Sequence, residues 1–60
     1  MKLYQKKNII VSREVYGRFE DLVIGHEVNE EGEPVKFLGK FIVPSNYSEE
    51  EVIGLYRKEG

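Results

Sequence analysis

The stretch Val35-Lys36-Phe37-Leu38-Gly39-Lys40-Phe41-Ile42-Val43-Pro44 alternates with a period of two. Val35, Phe37, Gly39, Phe41 and Val43 fall on one side and carry no charge, while Lys36, Leu38, Lys40 and Ile42 fall on the other. Successive side chains of a strand point to opposite faces, so this pattern predicts a strand with one face on a core. Pro44 cannot donate to a ladder and closes it. Just upstream, Asn29-Glu30-Glu31-Gly32-Glu33-Pro34 is dense in turn formers. Before that, Leu22, Ile24, His26 and Val28 share one parity and are expected to point inward. The two runs predict an antiparallel hairpin over about 22–43. Gly39 in mid-strand predicts a bulge or a sharp bend.

Beyond Pro44, Ser48-Glu49-Glu50-Glu51 has the spacing of a capping box. The serine hydroxyl takes one orphan amide of a helix start, and the glutamate three residues on returns to another. A helix from about Ser48 to Lys58 is expected, with Val52, Leu55 and Tyr56 as its apolar stripe and Tyr47 as its N-terminal staple. Its three leading glutamates and the trailing Arg57-Lys58 suit the helix dipole.

Upstream of the hairpin, Ile9-Ile10-Val11 is a β-branched run that prefers a strand. Residues 13–21 read two ways. A helix capped by Ser12 would align Val15, Phe19, Leu22, Val23 and His26, whereas a strand would set Val15, Gly17 and Phe19 against Tyr16 and Arg18. Gly17 costs a helix interior about 1 kcal/mol, which tilts the reading to strand. The fold class expected is α+β. It is a single small β-dominated domain over residues 1–60, with three or four antiparallel strands and a C-terminal helix. A bend at Gly39 would curl it toward an SH3-like partial barrel.

Sixty residues bury only about 60 % of the surface their unfolded chain exposes, so such domains need a further stabiliser. Disulfides are excluded, because there is no cysteine. With one histidine, a zinc site would need several carboxylates from this small chain. Self-association is left, and a homodimer is the expected state. A chain that is 40 % hydrophobic and 33 % charged is too apolar for disorder. Its apolar runs fall far short of the roughly 18–20 residues of a membrane span. Asn8-Ile9-Ile10-Val11-Ser12, after the basic start, is too short for a signal-peptide core. A cytoplasmic setting is expected.

No catalytic constellation stands out. His26 could act as a general base beside Glu27 or Glu20, but its parity beside Ile24 and Val28 reads as a partly buried structural histidine. The cluster Glu30-Glu31-Gly32-Glu33 lacks the spaced ligands of a calcium loop and reads as a solvated turn. The six glycines are scattered and form no phosphate-cradling loop. Neither an enzyme nor a bound cofactor is expected.

Charge is more informative in its distribution than in its total of −2. Residues 1–18 hold Lys2, Lys6, Lys7, Arg13 and Arg18 against Glu14 alone, while residues 19–34 hold six acids and no Lys or Arg. The plainer reading sets opposite charges facing each other across paired strands. The sharper reading gathers Lys2, Lys6, Lys7, Arg13 and Arg18 into a partner-binding surface, with Tyr4 and Tyr16 able to stack on bases. In addition, Ile9-Ile10-Val11-Ser12-Arg13-Glu14-Val15 followed by Gly25-His26-Glu27-Val28 resembles the swapped-hairpin DNA-binding proteins of the AbrB and MazE antitoxin type. It departs from them with Ser12 where proline is usual and His26 where aspartate is usual. That resemblance implies a dimer gripping DNA through Arg13, Arg18 and the N-terminal lysines. The function expected first is a non-catalytic protein-interaction module that pairs with itself and with another protein. The alternative is a dimeric DNA-binding transcriptional regulator using the basic N-terminal third.

Overall fold

The computed structural model describes residues 1–57, which form four strands and one short helix. The strands are β1 (Lys2–Lys6), β2 (Ile9–Val15), β3 (Glu20–Val28) and β4 (Pro34–Pro44), followed by α1 (Glu49–Gly54). They make one antiparallel sheet in the order β1-β2-β3-β4, so every connection is a local turn. The β-dominated fold with a C-terminal helix is therefore the one expected, with the strand count at four.

Each turn has a local cause. Between β1 and β2 the chain reverses in Lys7 and Asn8, with Lys7 at φ 55°, a conformation few side chains adopt freely. Between β2 and β3 the amides of Tyr16 and Gly17 both donate to the Glu20 carbonyl, 3.0 Å each. Residues 13–21 thus divide into strand, bend and strand, with Gly17 in the bend. Between β3 and β4, Asn29 organises the loop. Its Oδ1 accepts from the Glu31 and Glu33 amides, 2.9 Å each, and Gly32 supplies the positive φ of 83° that the reversal needs.

Register decides which side chains share a face. Tyr4, Val11, Gly25 and Gly39 lie on one rung, and Lys2, Arg13, Val23 and Phe41 on the next. This face carries the core: Val11, Val23 and Val43 pack with Val52 and Tyr56 of the C-terminal segment, flanked by Tyr4, Ile9, Leu38 and Tyr47. The opposite face holds the rungs Leu3–Ser12–Ile24–Lys40, Gln5–Ile10–His26–Phe37 and Glu14–Leu22–Ile42.

Two expectations about faces are corrected here. The bulge foreseen at Gly39 is present, as a register shift opposite Gly25/His26 with Gly39 at φ 140°, and a second shift lies opposite Glu27/Val28. An extra residue in one strand inverts the alternation beyond it. Phe41 and Val43 therefore stay on the core face, but Phe37 crosses to the other and is 60 % exposed. Likewise Leu22, Ile24 and His26 point away from the helix, because the deeper core is made by the alternate parity, Val23 and Gly25.

The capping box forms as read. The Glu51 amide donates to Ser48 Oγ at 3.1 Å, and the Ser48 amide donates to Glu51 Oε1 at 2.8 Å. The helix itself is shorter than expected, ending at Gly54, and Lys58 lies outside the described residues. Its buried residues are Val52 and Ile53, whereas Leu55 is exposed. With only six helical residues, the stripe is set by one turn rather than by a long 3.6-residue period.

Candidate interaction surface

The helix-covered face is closed at its centre by an aromatic ring on bare backbone. Tyr56 lies across the Gly25–Gly39 rung, and its hydroxyl donates to the Gly39 carbonyl at 3.0 Å, with the Val23 carbonyl at 3.4 Å. Phe41 meets the ring edge-on at 5.5 Å between centroids. Burial pushes the Tyr56 phenol up to about 12, against a smaller downward pull from the Gly25 backbone. A tyrosine so placed locks the fold and is no acid–base group near neutral pH.

Beside it sits an ion pair. Arg13 is 7 % exposed. Its Nε donates to Asp21 Oδ2 at 2.8 Å, its Nη1 to the Tyr4 hydroxyl at 3.2 Å and its Nη2 to the Ser45 carbonyl at 3.2 Å. Burial alone would lower its pKa, but the hydrogen bonds to Tyr4 and Asp21 outweigh that and hold it above the usual value. The guanidinium is thus consumed in tying β2, β3 and the segment after β4 together. A shallow cleft of about 530 Å³ opens over this cluster, lined in part by Lys2, Tyr4, Tyr47 and Glu49.

The basic residues singled out in the sequence do not converge. Arg13 is buried, and Lys6 reaches Glu50 at 3.7 Å. Lys7 stands at the β1–β2 turn, and Arg18 in the β2–β3 bend, where it stacks on Phe19 at 5.6 Å. Those two connections lie at opposite ends of β2, roughly 20 Å apart for a seven-residue strand. Lys2 and Lys6 flank Tyr4 on the exposed edge strand β1. Within the single chain, β2 pairs to β1 and β3, and a bend occupies residues 17–19.

What the sequence reading missed is the other face of the sheet. Leu3 (62 % exposed), Phe37 (60 %) and Ile42 (49 %) surround the half-buried Ile10, Leu22, Ile24 and His26. No element among the described residues covers them. His26 contributes its ring as packing, edge to Phe37 at 5.6 Å. The signal was available in the parity of β3, apolar on both sides at Leu22-Val23-Ile24, which a strand with one solvated face does not require. The charged groups on this side, Glu14, Glu20 and Lys40, sit toward its margins.

Among the described residues no cluster of three His, Cys, Asp or Glu could hold a metal ion, and no helix is long and apolar enough to cross a membrane. No family model matches the chain, and neither a curated protein nor a solved structure shows significant similarity to it.

Proposed function

We propose that the chain is a small cytoplasmic, non-catalytic protein-interaction module that works through the uncovered face of its sheet. The observation supporting this is the apolar surface of Leu3, Ile10, Leu22, Ile24, Phe37 and Ile42, with Ser12 and Gln5 among them, Glu14 and Glu20 at its end and Lys40 on its β4 edge. Soluble domains rarely leave so large an apolar fraction of one face in water, and an apolar centre with a polar rim is the anatomy of a protein interface. On this reading the curl at Gly39 makes the sheet an SH3-like partial barrel, a shape that recurs with unrelated functions.

The regulator reading has less behind it. A duplex-binding surface needs several free cations on one side, and here Arg13 is spent internally while Lys7 and Arg18 lie at opposite ends.

A photoreactive phenylalanine analogue at position 37 tests the reading. It should crosslink to protein on illumination, and the same analogue at Phe19, outside the face, should not. Equal labelling at both positions, or at neither, would reject the module as described.

A further inference from the structure

We infer that the occupant of the uncovered face is a second copy of this chain, packed sheet against sheet across a two-fold axis. This rests on the reading of that face as a protein-docking surface and names its partner.

Three observations single out the copy. The first is area. The molecule spans 35 × 24 × 15 Å, so an envelope of its broad side is about 840 Å², and a pairing that engaged most of that side would reach the roughly 800 Å² each partner contributes to a standard-sized stable interface. The second is need. The core among the described residues is built on three fully buried valines, Val11, Val23 and Val52, helped by Tyr56, and domains this small commonly lean on association. Closing the face would add a second apolar layer without another residue of sequence. The third is charge. The face carries Lys40 together with Glu14 and Glu20, and the chain's net charge is only −2, so no single-sign field opposes a like copy.

Edge-to-edge pairing is the other route by which sheets self-associate, and both edges here are blunted. Edge strand β1 is five residues long with a lysine at each end. Edge strand β4 begins and ends in proline and carries two register shifts. Short, charged, bulged and proline-bearing edges resist pairing. Face-to-face packing, with the sheets about 10 Å apart, is left.

The experiment is sedimentation equilibrium of the full chain from about 1 to 100 μM, with four proteins in parallel. The unaltered chain should approach twice 7.0 kDa. Phe37→Glu and Leu3→Glu, both at positions largely exposed in the single chain, should each weaken the dimer at least tenfold. Val15→Glu, at a site 83 % exposed off this face, should leave it unchanged. Melting of the unaltered chain should rise with concentration, a readout that needs no variant. A monomer throughout the range overturns the inference, as does a dimer indifferent to both face variants. Crosslinks from position 37 separate the two levels of failure. Adducts at the doubled chain mass support the copy. Adducts only of other masses overturn it while the docking surface stands, and no adduct removes both.

Discussion

Tyr56 rests on Gly25 so closely that a Cβ at that glycine would lie 2.5 Å from the tyrosine ring. No side chain fits that gap, so the strand and the C-terminal segment specify each other. Gly25→Ala should destabilise the fold by about 1–3 kcal/mol, the cost of overpacking a filled site. Tyr56→Leu in the same chain should recover part of that loss. Simple additivity of the two changes in urea unfolding would argue that they do not share a contact.

The same tyrosine makes an alkaline limit. Its phenol ionises near 10.0 in the unfolded chain and only at about 12 in the fold, so the fold favours the neutral form. The stability this represents is fully present below pH 10 and is lost as pH rises toward 12, at about 1.4 kcal/mol per unit. Tyr56→Phe should melt at a slightly lower temperature at neutral pH, for want of a hydrogen bond worth about 1 kcal/mol. Between pH 10 and 12 it should lose less stability than the parent. Parallel melting curves across that range would refute the assignment.

Arg13 and Asp21 pose a different test, since their side chains are 8 % and 14 % exposed. Asp21→Asn leaves a buried cation without its counter-charge and should cost about 3 kcal/mol or more, close to the whole stability of so small a domain. Replacing the pair together, Arg13→Met with Asp21→Leu, should be far milder. Equal damage from the single and the double change, by denaturant titration, would mean that the charges matter less than the shape they fill.

At the helix, Ser48→Ala removes one half of the capping box and should cost about 1 kcal/mol. Deleting residues 48–60 uncovers Val11 and Val23 and should abolish cooperative unfolding, because it removes the buried Ile53 together with the buried Val52 and Tyr56 that pack over them. Retention of a sharp melt by the shortened chain would contradict the core assigned here.

For nucleic acid, binding to a random duplex at physiological salt is expected to be undetectable at about 100 μM protein, and Lys6→Gln with Lys7→Gln should shift stability by no more than about 1 kcal/mol. Salt-sensitive duplex binding whose log–log slope falls by one to two units in the double variant would put the regulator reading first.

Local chemistry was readable in the sequence, and facing was not. The Asn29 turn, the bulge at Gly39 and the Ser48–Glu51 box each depend on residues within a few positions of one another. Which parity of β3 is buried depends on where the helix lands, and that is decided by the fit of Tyr56 onto two glycines, 31 and 17 positions away along the chain. The bulge was foreseen without its corollary, that Phe37 and Phe41 must then point to opposite sides. Arg13 looked like a surface cation because its partner, eight residues on, comes within reach only once the bend at Gly17 has folded β2 onto β3.

The blunted edges also fix the valence of the molecule. A sheet with a sticky edge can recruit copies without end, since each added strand presents a fresh edge to the next. A chain whose edges are closed by lysines, prolines and bulges, and whose sheet leaves one face uncovered among the described residues, offers a like copy that face rather than an edge. Pairing of two such faces, as proposed above, would use up that surface, and neither edge invites a third copy. On that proposal growth should stop at a finite particle rather than run on into a fibre.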